Sequence, residues 1–268
     1  MAAALESIPI EFEGVTVDAV AFGQGDPVLL VHGYTSSKEA WFLNLQALAQ
    51  HFRVLALDLP GHGRSSKVAP DRYLAFCSEW LVRLLDRQQI EAAHVIGNSM
   101  GGAVAMELAL SQPSRMRKLV LVDALGMGAQ ITGGDVLVKL VESQTREEVQ
   151  AQLSRVVHDP AHILPQAVDL SFTYLQQPGV KALLRKIGAQ LSDGKTVRVD
   201  FRPRFKDLRM PVLVVWGRED RLIPVAHAYA AREMPDARIH IFERCGHLPQ
   251  LEQAAAFNEL VTGFLQQP

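Results

Sequence analysis

Short apolar runs and longer amphipathic stretches take turns along this chain. Residues 8–22 (IPIEFEGVTVDAVAF) alternate apolar and polar about Glu13-Gly14, which predicts an antiparallel hairpin at a sheet edge. Val28-Leu29-Leu30-Val31 is a continuous apolar run, the pattern of a strand covered on both faces. After Ser36-Ser37 a helix is expected to about residue 50, then a strand over 53–57. The next helix, over about 73–88, carries an apolar stripe of Tyr73, Cys77, Trp80, Leu81 and Leu84. A strand ending near Ile96, a helix opening at Met100 and stopping near Pro113, and a buried strand over 119–122 follow.

Such alternation is the signature of a mostly parallel sheet with helices on both faces. It breaks at Gly126. From there to about residue 208 only helical patterns recur (136–141, 147–157, 163–175, 180–191), punctuated by Gly133-Gly134, Asp159-Pro160, Pro178-Gly179 and Asp193-Gly194. Alternation resumes with a strand over 212–216, a helix from about Ala226, a strand over 238–242 and a last helix from about Leu251. The prediction is an α/β fold with a mostly parallel central sheet, helices on both faces and a helical cap inserted after the sixth strand. Residues 1–125 and 209–268 would form the core, and 126–208 the cap over the carboxyl edge of the sheet.

A length of 268 residues, 48% of them hydrophobic and 21% charged, suits one large domain with a sizeable core. The net charge of −2 and the lack of a basic cluster argue against a nucleic-acid partner. Cys77 and Cys245, the only cysteines, are too few for a disulfide framework or a Cys-rich metal site and point to a reducing compartment. The N-terminal MAAALESIPIEFEG lacks a basic region followed by an apolar core, and no apolar run is long enough to span a membrane. The expectation is a soluble, cytoplasmic protein with no membrane partner.

The predicted strand ending at Ile96 runs into Gly97-Asn98-Ser99-Met100-Gly101, a G-x-S-x-G pentapeptide, and then directly into a helix. A turn this sharp leaves no room for side chains two residues either side of its apex, and it pushes the apex serine out on a strained backbone. Ser99 would also sit at a helix N-terminus, where unpaired N–H groups favour developing negative charge. Chance supplies the pentapeptide in roughly one chain of this length in fifteen. Its setting between an apolar run and a helix makes Ser99 the candidate nucleophile.

A serine nucleophile needs a general base and a carboxylate that orients it. In open parallel sheets these belong in loops after strand ends. His247, in Cys245-Gly246-His247 after the strand over 238–242, is the candidate base. Asp220, in Trp216-Gly217-Arg218-Glu219-Asp220, is the candidate acid, with Glu219 and Asp123 as rivals. His240 and His227 read as packing or surface residues. The oxyanion donors would be the backbone N–H groups of Met100 and of Tyr34, in the His32-Gly33-Tyr34 loop.

His32-Gly33-Tyr34, Asp58-Leu59-Pro60-Gly61-His62-Gly63-Arg64-Ser65, Gly97 to Gly102, Trp216 to Asp220 and Gly246-His247 together resemble the α/β-hydrolase superfamily along nearly the whole chain. The resemblance implies a structural role for the Asp58–Ser65 loop, with His62 and Arg64 as scaffold. Gly-Asn-Ser-Met-Gly-Gly is similar to both meta-cleavage-product hydrolases, which cut carbon–carbon bonds, and bacterial carboxylesterases. The carbon–carbon enzymes usually place Trp after the catalytic His and an Arg in the cap; here Leu248 follows His247 and no Arg lies around Leu170. The cap also resembles the hydrolase-like region of acetoin-operon dihydrolipoamide acetyltransferases, although no lipoyl domain is read here.

The resulting expectation is a carboxylesterase-type serine hydrolase acting on a short- to medium-chain small-molecule ester, without metal or organic cofactor. Phe172, Tyr174, Leu175 and Leu248 are candidates for the substrate pocket. A carbon–carbon hydrolase is the alternative enzyme, and a ligand receptor with low turnover is the alternative of another class.

Overall fold

The computed structural model describes residues 6–267. The first five positions of the N-terminal stretch read above as leader-free lie outside them. In chain order the strands are β1 (Glu6–Ser7), β2 (Ile10–Phe12), β3 (Val15–Val17), β4 (Ala19–Phe22), β5 (Asp26–Val31), β6 (Phe52–Leu57), β7 (Ala93–Asn98), β8 (Met116–Val122), β9 (Val212–Gly217) and β10 (Ala237–Phe242). Eight of them form one sheet in the order β1-β4-β6-β5-β7-β8-β9-β10. The six from β6 to β10 in that order run parallel, and β4 and β1 add antiparallel at one end.

Side chains alternate across this sheet and build a core on each face. Leu29, Val31, Leu55, Leu57, Val95, Leu119, Leu121 and Val214 face α2 (Tyr73–Arg87) and α3 (Met100–Ser111). Val28, Leu30, Val54, Ala56, Ile96, Val120, Val122 and Val215 face α1 (Phe42–Leu48) and the C-terminal helix with Phe257, Val261 and Phe264. Strands covered on both sides read as continuous apolar runs, which is why they were visible in the sequence.

Between β8 and β9 lie four α-helices, α4 (Gly134–Glu142), α5 (Arg146–Ser154), α6 (Pro165–Leu175) and α7 (Val180–Leu191), and two short 3₁₀ helices, Pro160–His162 and Arg202–Asp207. Thr145 opens α5 with a capping box, accepting from the Glu148 N–H while Glu148 reaches back to the Thr145 N–H. Apart from isolated bridges pairing Gln130 with Thr196 and Ser192 with Val197, this insertion adds no strand among the described residues.

Three expectations are corrected. The hairpin about Glu13-Gly14 forms, with φ of 50° and 75° in its two-residue turn, but β2 and β3 pair only with each other, and of the segment 8–22 only β4 joins the main sheet. The segment Val225–Glu233 is a 3₁₀ helix instead of an α-helix. The last helix begins earlier and is broken at Gln253 into α8 (Pro249–Glu252) and α9 (Ala254–Gln266). No helix among the described residues is long and apolar enough to cross a membrane.

Candidate active site

The carboxyl ends of β5, β7, β8, β9 and β10 open onto the same edge of the sheet, and every predicted catalytic residue follows one of them. Ser99 comes directly after β7 and immediately before α3, with φ 56° and ψ −117°. A non-glycine residue in that region costs on the order of 1–3 kcal/mol, so its surroundings must impose it. They do so by hydrogen bonds and by the absence of side chains. The Ser99 N–H donates to the Val122 carbonyl (2.9 Å), and the Ser99 carbonyl accepts from the Leu125 N–H (3.0 Å). A Cβ on Gly97 would overlap the Gly101 carbonyl, and one on Gly101 would overlap the Val31 carbonyl.

Asp220 and His247 meet. The Asp220 carboxylate accepts from His247 Nδ1 at 2.7 Å, and its other oxygen accepts from the N–H groups of Leu222 (2.7 Å) and Ile223 (3.1 Å). Both residues are buried, at 8% and 4% exposure, so the bond is shielded from water. That bond requires a proton on Nδ1, which leaves Nε2 of a neutral ring as an acceptor. Of the rival acids, Glu219 accepts from the Cys245 N–H (2.9 Å) and Asp123 from the Gly217 N–H (3.0 Å). Burial, and then the charge of Asp220, push Asp123 well above the usual carboxylate range.

The loop that carries His247 is held from three directions. Asn98, next to Ser99, donates Nδ2 to the His247 carbonyl (3.2 Å), which fixes the imidazole's backbone to the serine turn. The His247 N–H donates to the Val156 carbonyl of the insertion (2.9 Å). Glu252 accepts from the N–H groups of Gly246 (3.0 Å), Leu248 (3.2 Å) and His158 (2.7 Å). Sequence reasoning missed Asn98 and Glu252. The available signal for Glu252 was an acid in the first helical turn after the histidine loop, placed to reach back to unpaired N–H groups.

The loop after β5 lies against the serine, since a Cβ on Gly33 would sit 3.2 Å from the Ser99 Cβ. Among the described residues, neither the N–H of Tyr34 nor that of Met100 has an acceptor, which leaves both available. His32 fixes the loop by donating Nδ1–H to the Gly33 carbonyl (2.7 Å) and accepting from the Leu59 N–H at Nε2 (2.9 Å). That arrangement suits a neutral ring, and burial pushes the His32 value down. Beneath it, Asp58 accepts from the Lys38 N–H (2.7 Å), Lys38 Nζ (2.8 Å) and the Arg64 N–H (2.9 Å), while Ser65 Oγ donates to the Asp58 carbonyl (2.6 Å). A Cβ on Gly63 would overlap the Asp58 carboxylate. The Asp58–Ser65 motif is thus internally bonded, with Arg64 contributing its backbone.

The pocket candidates are distributed. Leu175 lies in the packed core and Tyr174 donates its hydroxyl to the Gly61 carbonyl, while Phe172 and Leu248 are half-buried against the core. His227 is buried, its ring filling the space a Cβ on Gly128 would take, and His240 packs on Phe242 (4.4 Å between centroids). Among the described residues, potential metal ligands converge in one place. The ligand atoms of Asp123, Asp220 and His247 lie within 4.8 Å of one another, and the Asp220–His247 hydrogen bond already occupies that space.

A family model described as the alpha/beta hydrolase family matches residues 28–260. The chain belongs to that family. Among curated relatives, it is 36% identical over 252 residues to the dihydrolipoyllysine-residue acetyltransferase component of the acetoin cleaving system of Cupriavidus necator, matching 94% of this chain and 67% of that protein. The chain spans about two thirds of the length of such acetoin-system relatives. It is 31% identical over 255 residues to a 2-hydroxy-6-oxo-6-phenylhexa-2,4-dienoate hydrolase of Burkholderia cepacia, covering 91% and 88% of the two chains. Among solved structures, a serine hydrolase from the polyaromatic hydrocarbon-degrading bacterium Cycloclasticus zankles superposes with a TM-score of 0.89 at 25% identity, over 98% of each chain.

Proposed function

We propose that this α/β hydrolase is a serine esterase in which Ser99, His247 and Asp220 act as nucleophile, general base and orienting acid. The observation that carries the reading is the buried 2.7 Å bond from His247 Nδ1 to Asp220, together with a serine held at positive φ whose neighbour Asn98 bonds the His247 carbonyl. His247 takes the Ser99 proton as Oγ attacks the acyl carbon, then returns it to the departing alcohol. The N–H groups of Tyr34 and Met100 receive the oxyanion. Water, activated by the same imidazole, releases the acid and restores the serine. The helical insertion serves as a cap over this edge of the sheet.

A short- to medium-chain ester of uncharged acid fits better than a dienoate. A carboxylate tail held away from water requires a cationic partner. The insertion's Arg146, Arg155, Arg185, Arg202 and Arg204 are paired instead with Asp169, Asp135, Glu142, Asp200 and Asp207, and Arg198 is exposed. Leu248 beside His247 adds apolar surface and no charge. One observation favours the second reading, carbon–carbon hydrolysis: a relative 31% identical along most of both chains carries a dienoate-hydrolase name.

A substrate panel tests the choice. Hydrolysis of p-nitrophenyl butyrate that disappears in Ser99→Ala is the expected result. Stronger turnover of a ring-fission dienoate would replace the ester reading with the carbon–carbon one. Tight ligand binding with negligible turnover of either would make the protein a receptor.

A further inference from the structure

Tyr34 reaches in two directions. Its backbone belongs to the loop packed on Ser99, while its hydroxyl crosses to the insertion and donates to the carbonyl of Leu184, in the middle of α7, at 2.7 Å. Four residues further along α7 stands Gly188. A Cβ there would lie 2.9 Å from the Tyr34 hydroxyl oxygen and 3.4 Å from the ring carbon that bears it. Gly188 occupies the interior of a 12-residue helix, where glycine costs about 1 kcal/mol relative to alanine. The space it leaves is the space the hydroxyl uses.

We propose that Tyr34 is a positioning residue that ties the oxyanion donor to the helical insertion through Leu184, with Gly188 as the notch that admits its hydroxyl. The inference rests on the hydrolase reading above, in which the Tyr34 N–H faces the oxyanion. The Gly33–Tyr34 peptide is held at its carbonyl by His32 Nδ1 (2.7 Å) and at the far end of the tyrosine side chain by α7. With both ends fixed, the N–H between them is aimed before substrate arrives, which is the condition for effective oxyanion stabilisation. Helix α7 has anchors of its own. Gln190 accepts from the Tyr73 N–H and donates to the Pro70 carbonyl, both at 3.0 Å. Loss of the tyrosine hydroxyl therefore frees the loop without releasing the helix.

A double-mutant cycle of Tyr34→Phe and Gly188→Ala tests the tether, read with a fluorophosphonate. Ser99 Oγ forms a bond to phosphorus, fluoride leaves, the serine proton passes to His247, and the phosphoryl oxygen enters the oxyanion site. Y34F should lower the inactivation rate constant about tenfold, a fraction of the hundred- to thousandfold that complete loss of a donor costs. In ester hydrolysis the loss should fall in kcat, with KM within about twofold, because the tether acts on developing charge. G188A should slow inactivation about tenfold beside the native tyrosine, since its methyl displaces the hydroxyl. In the Y34F background G188A should change nothing further, because the displaced atom is gone. Equal effects of G188A in both backgrounds, or none in either, would overturn the proposal, as would a Y34F enzyme with unchanged kcat.

The two readings fail differently. If the native protein reacts no faster than S99A, the hydrolase reading falls. With residues 180–191 as the unchanged control, amide exchange over residues 32–41 still reports on the tether, and faster exchange in that loop is then expected in Y34F. Unchanged exchange there would remove the tether as well.

Discussion

Asp123 and Asp220 stand at the ends of the adjacent strands β8 and β9 with carboxyl oxygens within 4.8 Å, yet only Asp220 bonds to His247. Asp220 accepts three hydrogen bonds, whereas one oxygen of Asp123 has no partner among the described residues. Two neighbouring buried carboxyls cannot both ionise cheaply, and burial together with the Asp220 charge leaves the proton on Asp123. Asparagine mimics a protonated aspartic acid in shape. D123N should therefore keep esterase kcat within about threefold, while D220N should lose on the order of a thousandfold or more by allowing the wrong His247 tautomer. Steady-state kinetics of the two variants decide this, and the reverse ranking would assign the acid to Asp123.

The serine turn is built on close backbone approach. G101A would drive a methyl into the Val31 carbonyl, in a part of the core with no room to yield. A loss of about 3 kcal/mol is expected in urea unfolding, against near-native stability for S99A.

Lys38 reaches Asp18 as well as Asp58, and the Asp58 side chain is fully buried. Burial alone would raise the Asp58 carboxyl, but the nearby His32 ring, the Arg64 N–H and the Lys38 ammonium and N–H together outweigh it and hold the value below the ordinary range. A carboxylate depressed in the folded state contributes stability above about pH 4 and loses it on further acidification. K38M should cost about 3 kcal/mol at neutral pH by leaving a buried charge without its cation. The gap to the native protein should narrow as pH falls below that range, and a gap that widens there would contradict this account.

The proton balance at His62 has the same sign as at Asp58 but acts over a higher range of pH. Burial, with His32 5.2 Å away between ring centroids, pushes its value from 6.5 down to about 3, and His94 is pushed down to about 4 by burial and two nearby cations. Between the ordinary and the depressed values the unfolded chain binds the extra proton, so stability drops as pH falls through that window. The slope is about 1.4 kcal/mol per pH unit for each such histidine. Urea midpoints between about pH 7 and 4 measure it. H62Q should flatten the slope by one proton, and an unchanged slope would show that His62 is not buried neutral.

The central strands were legible because each is covered on both faces, and the order of the loops that carry the candidate site because each follows a strand end. Ser99, Asp220 and His247 could be picked out by the same logic, with Glu219 and Asp123 separated only once their hydrogen-bond partners were known. Other features depend on distant partners. Nothing local to Val225–Glu233 distinguishes a 3₁₀ helix from an amphipathic α-helix. Glu252 reads as an ordinary surface acid until three N–H groups from two segments converge on it. The Tyr34 hydroxyl finds its acceptor 150 residues away.

Glu252 binds the flanks of His247 and the Val157–His158 turn with one carboxylate, so the insertion is not a module that can be exchanged at its covalent junctions alone. A chimera carrying another hydrolase's helices would break this joint unless the donor also supplies an amide where the His158 N–H now sits. Grafts meant to change substrate range in this scaffold are better cut inside α5 and α6, leaving residues 156–158 in place.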